Sequence, residues 1–324
     1  MSDFLNHFSR LTVLVVGDVV LDEYVFGSAA RMSREAPVPV LEFTGRRVIP
    51  GGAANPAANV AALGAHAAQV GVVGADAAGD ELRAALQTLG IDVAGLLSDP
   101  ARPTTVKQRI MAQMGLRFPQ QLARIDRLSR EPVSEAVTSA LVDAAAAWTG
   151  RASAVLFSDY HNGMLTAPLV DAIRTRAAAS GLLLTADAQG DFLKYADFGL
   201  VKCNADEAAT FLRRALTSDA DFAAAAVELR STLRLTHAMV ITRGPEGATV
   251  ADAADRAERV PAAHVEDVFD TVGAGDTAIA VLTLAVAAGA PLSDAVRLAN
   301  AASGIVVRRV GNYAPSLDEL RREL

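Results

Sequence analysis

A glycine-rich segment that ends in an acidic residue precedes a long alanine-rich helical pattern late in the chain. The segment is Gly273-Ala274-Gly275-Asp276. Its backbone N–H groups can converge without side-chain obstruction, and the start of a helix adds a partial positive charge, so the segment suits a phosphoryl group. An aspartate there repels the same anion, unless Asp276 faces a hydroxyl group that attacks phosphorus and takes its proton. The segment therefore predicts phosphoryl transfer, with Asp276 as the general base.

Two other interpretations of this segment stay open at this point. Gly273, Gly275 and Ala278 also fit the loose G-x-G-x-x-G/A fingerprint of dinucleotide-binding proteins, although that fingerprint belongs after the first strand of a βαβ unit. The segment could also be a capped helix start with a flexible lead-in, because aspartate caps helices well. The sequence contains no G-x-x-x-x-G-K-[ST] motif, which excludes a P-loop enzyme.

A glycine pair opens another helical pattern near the start of the chain. Gly51 and Gly52 allow close backbone approach, and Asn55 carries both a donor and an acceptor, which suits an array of sugar hydroxyl groups. Asp18 follows the first predicted strand, at the end where open α/β sheets bind ligands. The alternative is a tight turn with a locally packed asparagine and a turn aspartate.

Apolar runs rich in β-branched residues alternate with alanine-rich helical patterns over most of the chain. Predicted strands cover 11–16, 68–73, 154–157, 182–186, 200–202, 238–242 and 248–251. Predicted helices cover 52–63, 79–89, 134–148, 167–179, 205–216, 219–233, 275–288 and 292–307. Because continuous apolar strands separated by helices are typical of βαβ units, we expect an α/β fold with a mostly parallel sheet covered on both faces.

Two segments interrupt this alternation, at about 22–48 and 103–128. Both alternate polar and apolar residues, the first one imperfectly, which indicates half-exposed antiparallel strands. Together they predict a small β-sheet that projects from the main body as a lid. Because the sequence has no fixed-period repeat and no low-complexity linker, we expect residues 1–324 to form a single domain.

The composition excludes several classes of protein. Half of the residues (51%) are hydrophobic, which excludes wholesale disorder, and a net charge of −7 argues against nucleic acid as a partner. The single cysteine, Cys203, excludes an intrachain disulfide and a cysteine-based zinc site. The longest uncharged stretch, 277–293, is too short for a membrane span, and no cationic leader precedes an apolar run. We therefore expect a cytoplasmic protein with no membrane partner.

The two glycine motifs, in this order, resemble those of the ribokinase-like (PfkB) sugar kinases over essentially the whole chain. The resemblance implies a three-layer α/β fold with a small β lid, and Asp276 as the catalytic base. It implies that Asp18, Gly51, Gly52 and Asn55 bind the sugar.

The same resemblance implies that the second substrate is ATP with Mg²⁺, and the sequence leaves open whether a monovalent cation is needed as well. Glu207 would hold the magnesium ion through water. The residues implied at the nucleotide are Lys202, Asn204, Glu207, Thr242, Gly244, Gly247, Gly275 and Asn300.

Four further segments look like those of the D-glycero-β-D-manno-heptose 7-phosphate kinases of lipopolysaccharide core synthesis. They are 17–24, 33–40, 120–126 and 158–160. This resemblance implies transfer of the ATP γ-phosphate to the anomeric C1 hydroxyl, which gives the 1,7-bisphosphate on the way to ADP-heptose. In bifunctional relatives the kinase is fused to an adenylyltransferase. Because this chain ends at Leu324, we expect that next step to need a separate protein.

The chain departs from the heptose kinase pattern at two places. Asp187-Ala188-Gln189 stands where those kinases usually carry Asp-Pro-Lys, and Cys203-Asn204 stands where they carry Pro-Asn. The first change removes a cation from the neighbourhood of the site. We expect Lys202, which adjoins the second change, to compensate.

A sugar phosphate carries about two negative charges and therefore needs cationic partners. Lys107 and Arg109 are two residues apart on a lid strand, so both project from one face. We expect these two and Arg34 to bind the phosphate group. Further lid and loop residues expected at the substrate are Arg124, Asp126 and Asp159. The alternative is a solvated strand face with no ligand.

The sequence leaves three rival functions open, and it also indicates how two chains could associate. The rivals are a kinase for ribose, fructose or a hexose phosphate, a catalytically silent nucleotide-binding regulator on the same fold, and a dinucleotide-dependent oxidoreductase. Exposed lid strands leave unpaired edges that a partner subunit often covers, so we expect a homodimer joined through the lids.

Overall fold

The computed structural model describes residues 2–113, 119–263 and 268–324. Its strands are β1 (Thr12–Gly17), β2 (Val19–Met32), β3 (Pro39–Gly52), β4 (His66–Gly74), β5 (Asp92–Asp99), β6 (Val106–Gln113), β7 (Gln120–Arg127), β8 (Ala154–Ser158), β9 (Leu183–Asp187), β10 (Leu200–Asn204), β11 (Ala238–Thr242), β12 (Ala248–Asp252) and β13 (Ala257–Val260).

Ten α-helices occur in the described part of the chain. They are α1 (Ser2–Leu5), α2 (Ala54–Ala62), α3 (Ala77–Thr88), α4 (Glu135–Ala146), α5 (Ala167–Ala179), α6 (Ala205–Leu212), α7 (Asp219–Leu233), α8 (Ala274–Ala287), α9 (Leu292–Val306) and α10 (Leu317–Glu323). Short 3₁₀ helices lie at Phe8–Arg10, Phe192–Tyr195 and Gly244–Glu246. None of the helices described here is long and apolar enough to cross a membrane.

The main sheet has nine strands among the described residues, in the order β13-β12-β11-β10-β9-β8-β1-β4-β5. All neighbours from β11 to β5 are parallel, and only the β11–β12 and β12–β13 pairs are antiparallel. The central strands are buried on both faces because their sequences are continuous apolar runs. The carboxyl ends of the parallel strands lie along one edge, and the candidate site forms there.

Helices cover both faces of this sheet, which confirms the expected three-layer α/β fold. One apolar cluster joins the sheet to α2, α3, α8 and α9. The other joins it to α4, α5, α6 and α7. Helix α8 is buried around almost its whole circumference because its sequence is nearly all alanine, valine, leucine and isoleucine after Thr277. A central helix of this kind can hold the residues at its start in a fixed position.

The lid is a separate four-stranded sheet in the order β3-β2-β6-β7. Each of the two lid segments is an antiparallel hairpin, as expected. The hairpins are joined by a parallel pairing of β2 with β6, which the alternation pattern did not indicate. Strand β7 is exposed at all its residues, whereas β2 is buried over Val19–Tyr24, where it leaves the main body.

Most predicted elements are confirmed within one to three residues, and the differences have local causes. Helix α6 ends at Leu212 rather than 216 because Arg213 adopts a left-handed conformation (φ 53°). The apolar pattern does not predict strands β5 and β13, because each is an edge strand of the sheet. An edge strand pairs with a neighbour on one side only and is partly exposed, so its sequence is more polar. Helix α10 was also missed, although a capping box of Ser316 and Glu319 marks its start.

Candidate active site

The glycine-rich segment forms the start of α8, as the sequence predicts. Gly273 has φ 83°, a left-handed conformation that favours glycine, and its missing side chain leaves room for Asn55 and Asn312. The backbone N–H groups in the first turn of a helix have no acceptors within the helix. Gly275, in that turn, faces Lys202: a Cβ there would lie 3.1 Å from the Lys202 Nζ. The helix start therefore presents N–H groups beside a buried cation, which suits an anionic group.

The carboxylate of Asp276 is buried and accepts two side-chain hydrogen bonds. The Tyr160 hydroxyl donates to Oδ1 at 2.7 Å, and the Asn55 amide donates to Oδ2 at 2.8 Å. The pKa of Asp276 is raised from 3.8 to about 6. Burial is the largest cause and the nearby carboxylate of Asp187 adds to it, while the two hydrogen bonds and Lys202 act in the opposite direction. A carboxylate with a pKa near 6 is ionised at neutral pH and still basic enough to accept a proton.

Asn55 is held in place from two sides. The Asn59 side chain, one turn further along α2, donates to the Asn55 backbone oxygen at 2.9 Å and to Oδ1 at 3.1 Å. Thr277, next to the base, donates to Asn59 Oδ1 at 2.8 Å. These bonds fix the orientation of the Asn55 amide, so that its N–H points at Asp276. The structure thus gives Asn55 a definite task at the base, in addition to the sugar contact that the resemblance implies.

A second set of bonds joins the base of the lid to this centre. Asp22 on β2 forms an ion pair with Arg109 on β6, and Asn312 donates to Asp22 Oδ2 at 2.6 Å. A side chain on Gly51 would overlap the Asp22 carboxylate, which explains why glycine stands there. Arg109 is buried and packs over the Tyr24 ring at 5.1 Å. In this structure Arg109 is therefore bound to the protein, and its expected contact with a substrate phosphate stays a prediction.

Asp18 holds the loop that follows β8. Its Oδ2 accepts the backbone N–H groups of Tyr160 at 3.0 Å and Asn162 at 3.2 Å, and its Oδ1 accepts that of Met164 at 3.3 Å. Burial and the neighbouring Asp159 raise the pKa of Asp18, while these bonds oppose the shift. Asp18 therefore positions Tyr160 through its backbone, and the sugar contact implied for it stays untested.

Two buried ion pairs stand beside this loop. Lys194 lies 2.6 Å from Asp159 Oδ2, which also accepts a 2.7 Å bond from the Tyr195 hydroxyl. Lys202 lies 2.6 Å from Asp187 Oδ2 and 3.3 Å from the Gly275 oxygen. Asp159 is thus turned towards the protein interior, whereas Lys202 borders the helix start. Lys202 thus lies beside Asp187, the first residue of the segment that stands where the heptose kinases carry Asp-Pro-Lys, and its compensating role stays a prediction.

The residues expected at the nucleotide lie on β10, at the end of β11 and in the turn after it, and on α6, α8 and α9. Asn204 and Glu207 form a capping box: Asn204 Oδ1 accepts the Glu207 N–H at 2.8 Å, and Glu207 Oε2 accepts the Asn204 N–H at 2.7 Å. Asn300 donates to the Pro261 oxygen at 2.8 Å and so fixes that segment. Each residue thus has a local structural task. The nucleotide roles of the whole set, Lys202, Asn204, Glu207, Thr242, Gly244, Gly247, Gly275 and Asn300, stay predictions.

The residues fit a magnesium ion that is held mainly by phosphate oxygens. Within the described residues no group of three or more His, Cys, Asp or Glu side chains could hold a metal ion alone. Glu207 uses Oε2 for the capping box and leaves Oε1 available, and burial raises its pKa. One carboxylate oxygen, reached directly or through water, is the usual protein contribution to Mg²⁺ bound with ATP.

Three of the expected lid residues are not brought to this centre. Arg34 lies exposed in the turn between β2 and β3. Arg124 pairs with Asp126 at 2.9 Å on the exposed strand β7. Lys107, by contrast, places its Nζ 4.8 Å from the centre of the Tyr160 ring. Among the lid cations that the structure describes, Lys107 therefore reaches the neighbourhood of Asp276 without being paired to Asp22.

Sequence reasoning missed two residues of this centre. Tyr160 lies in segment 158–160, which looks like the heptose kinases, but a tyrosine beside Asp159 carries no spacing signal that indicates a role. Asn312 lies in the loop between α9 and α10, where the sequence carries no motif. Its side chain nevertheless donates to Asp22 and lies against Gly273. Only the fold brings these two side chains together with Asp276.

We expect the substitution Asp276→Asn, which puts a neutral amide in place of the carboxylate, to stabilise the protein at neutral pH. A carboxyl group whose pKa is raised in the folded state binds its proton more tightly there than in the unfolded chain. Folding stability therefore falls as the pH rises from about 4 to about 6, and the full penalty remains above that. The melting temperature of Asp276→Asn should exceed that of the unsubstituted protein at pH 8, and the two should converge near pH 4. An equal difference at both pH values would contradict a charged, desolvated Asp276.

Comparison with known proteins agrees with this geometry. The family model described as pfkB family carbohydrate kinase matches residues 11–319. The chain is 40% identical over 323 residues to the bifunctional protein HldE of Methylobacillus flagellatus, covering 98% of this chain and 64% of that relative. It is also 40% identical over 325 residues to HldE of Caulobacter vibrioides, covering 99% of this chain and 65% of that protein. The chain thus spans slightly less than two thirds of these relatives.

Solved structures show the same fold. Phosphofructokinase-2 from Escherichia coli in complex with potassium aligns with a TM-score of 0.76 and 21% identity over 96% of this chain and 97% of that one. Arabidopsis thaliana ribokinase complexed with ribose and ATP aligns with a TM-score of 0.72 and 18% identity over 97% and 98%. These likenesses establish the ribokinase-like architecture, and the family match over residues 11–319 goes further: the chain belongs to the pfkB family of carbohydrate kinases, which are ATP-dependent sugar kinases.

Proposed function

We propose that this chain transfers the γ-phosphate of ATP to the anomeric C1 hydroxyl of D-glycero-β-D-manno-heptose 7-phosphate and forms the 1,7-bisphosphate. The observation that carries the phosphoryl-transfer part is Asp276, a buried carboxylate with a pKa of about 6 in the first turn of α8. The heptose part rests on the sequence segments named above and on the similarity to proteins named HldE.

In the proposed reaction the sugar hydroxyl oxygen attacks the γ-phosphorus of ATP. A new O–P bond forms, the bond between the γ-phosphorus and the β–γ bridging oxygen breaks, and ADP leaves with that electron pair. Asp276 accepts the proton of the attacking hydroxyl. The backbone N–H groups at the start of α8, together with Lys202, stabilise the negative charge on the transferred group. Bound magnesium would neutralise charge on the β- and γ-phosphates.

Asp276 alone does not suffice for phosphoryl transfer, because its negative charge repels the phosphate groups that must bind beside it. Asp276 is buried against Asp187, so two carboxylates stand beside a site that must receive several more negative charges. The Lys202 ammonium group lies 2.6 Å from Asp187 Oδ2 and 3.3 Å from the backbone oxygen of Gly275, in the first turn of α8. A buried cation in this position offsets the repulsion between the carboxylates and the incoming phosphate groups.

We expect purified protein with magnesium and ATP to release ADP with D-glycero-D-manno-heptose 7-phosphate. The comparison panel contains ribose, fructose and fructose 6-phosphate. Asp276→Asn should lose on the order of 10²-fold or more in kcat, because the hydroxyl proton then has no acceptor. Turnover on ribose or fructose alone would discard the heptose assignment and keep the kinase assignment. Near-unchanged turnover by Asp276→Asn would refute its role as the base.

Lys107 is the cation that we propose for the substrate phosphate. It is half-buried on the lid and reaches the Tyr160 ring, which itself touches the base. Lys107→Met should raise the KM for the sugar phosphate by about tenfold or more and leave the KM for ATP unchanged, because a charge-assisted bond to phosphate is lost. Arg31→Met is the matched control, since it removes an exposed cation further out on the same lid sheet. An unchanged sugar KM in Lys107→Met would contradict the assignment.

We also propose that two chains associate through their lids. The lid strands expose large apolar side chains, including Phe43 (70% exposed) and Ile125 (57%), and among the described residues β3 and β7 are the edge strands of the lid sheet. Sedimentation of the protein should then give a dimer. Phe43→Glu should shift it to the 33.7 kDa monomer, whereas Leu89→Glu, an exposed position at the end of α3, should not. A monomeric unsubstituted protein would overturn this assembly.

A further inference from the structure

Tyr160 lies where three parts of the protein meet. It follows β8 and Asp159 in the chain, and its backbone N–H donates to Asp18 after β1. Its hydroxyl donates to Asp276 Oδ1 at 2.7 Å, at the start of α8. The Nζ of Lys107, on lid strand β6, stands 4.8 Å from the centre of its ring. One side chain therefore touches both the base and the lid.

Both oxygens of Asp276 accept hydrogen bonds from the protein. Asn55 occupies Oδ2 and Tyr160 occupies Oδ1. A hydroxyl group that is to lose its proton to Asp276 must approach one of these oxygens within hydrogen-bond distance. One of the two present donors must therefore move or share its acceptor.

The two donors differ in how firmly they are held. Asn55 lies on α2, where Asn59 bonds to both its backbone and side-chain oxygens and is itself bonded to Thr277. Among the described residues, the Tyr160 side chain has one hydrogen bond, to Asp276, and its ring lies under the Lys107 side chain on the lid. Tyr160 is thus the donor that can leave with the least loss of other bonds.

We propose that Tyr160 is a positioning residue that covers the Oδ1 atom of Asp276 until a sugar hydroxyl takes its place, and that its contact with Lys107 couples this exchange to the lid. The proposal deepens the proposed function and rests on it. Without the Tyr160 hydroxyl, a water molecule can donate a hydrogen bond to Oδ1 and be activated as the nucleophile in place of the sugar hydroxyl. Its oxygen would attack the γ-phosphorus, the bond to ADP would break, and Asp276 would take the proton.

Charged groups face this pair from several elements. Asp187 on β9 and Lys202 on β10 face Asp276, and Asp22 on β2 adds to the negative field at Tyr160. Lys107 faces the ring from β6. Burial and Asp276 raise the pKa of Tyr160 well above its usual value, so the hydroxyl stays a neutral donor at the pH values of interest. Removal of this donor leaves Asp187, Lys202 and Asn55 in place, and so isolates its own effect on Asp276.

The first test uses Tyr160→Phe, which removes the hydroxyl and keeps the ring beneath Lys107. The titration of the Asp276 side-chain carbon is followed by NMR with labelled aspartate, and its signal is identified by its loss in Asp276→Asn. Because the bond favours the ionised form, the pKa of Asp276 should rise by about one pH unit above its starting value of about 6. An unmoved titration overturns the proposal.

Tyr195→Phe is the matched control for this titration. The Tyr195 hydroxyl also donates to a buried carboxylate at 2.7 Å, but its acceptor is Asp159. The Asp276 signal should therefore titrate unchanged in Tyr195→Phe. A shift of equal size in both variants would mean that the effect is a general loosening of the site, and would also overturn the proposal.

The second test measures ADP release from magnesium and ATP at pH 8 without any sugar. Tyr160→Phe should raise this release about tenfold relative to the unsubstituted protein, and a release that does not rise overturns the covering role. If Tyr160→Phe fails to fold, 3,5-difluorotyrosine placed at position 160 serves instead. Its hydroxyl is a stronger donor, so the pKa of Asp276 should fall, and an unmoved or raised pKa overturns the proposal.

The two tests separate this proposal from the proposed function. A protein that phosphorylates no sugar of the panel, but whose Asp276 titration moves as described, refutes the proposed substrate and supports the pairing of Tyr160 with the base. A protein that phosphorylates the heptose phosphate with an unmoved Asp276 titration in Tyr160→Phe supports the function and refutes the role of Tyr160.

Discussion

The structure depends on one electrostatic constraint: an ionisable carboxylate, Asp276, is held in the protein interior at the start of a buried helix. Burial opposes its charge, and the fold offsets that cost with donors from two other elements, Asn55 from α2 and Tyr160 from the loop after β8. Because each donor must be placed to within a few tenths of an ångström, α2, α8 and the β8 loop cannot shift independently.

The same bonds extend from the base to the lid. Asn55 lies against Asn312, Asn312 donates to Asp22, and Asp22 pairs with Arg109 on β6. The path is continuous and buried, so a displacement of β2 and β6 relative to the main sheet must disturb it at some bond. The base of the lid is therefore bonded to the residues around Asp276 and cannot move independently of them. Gly51 is constrained by the same packing, because a side chain there would overlap the Asp22 carboxylate.

Much of this arrangement could be predicted from sequence because the local signals are strong. The start of α8 follows from Gly273 and Gly275, and the mostly parallel sheet follows from continuous apolar strands between helices, although the order of its strands does not. The Asn204–Glu207 spacing is also a local signal, but it has two physical meanings, a capping box and a magnesium contact, and spacing alone cannot separate them. Tyr160, Asn312 and the burial of Arg109 could not be predicted, because each depends on side chains that are far apart in sequence and meet only in the fold.

The scarcity of lysine sharpens the assignment of the lid cation. Lys107, Lys194 and Lys202 are the only lysines among 324 residues, and the structure places all three around the same edge of the sheet. Lys194 neutralises Asp159 and Lys202 neutralises Asp187, so each is tied to a buried carboxylate. Lys107 forms no such pair within the described residues and rests instead on an aromatic face, an interaction that costs little to exchange for a phosphate group. Because Lys107 is near the base, is carried by the lid and has no carboxylate partner in the described part of the chain, its charge remains available to a substrate.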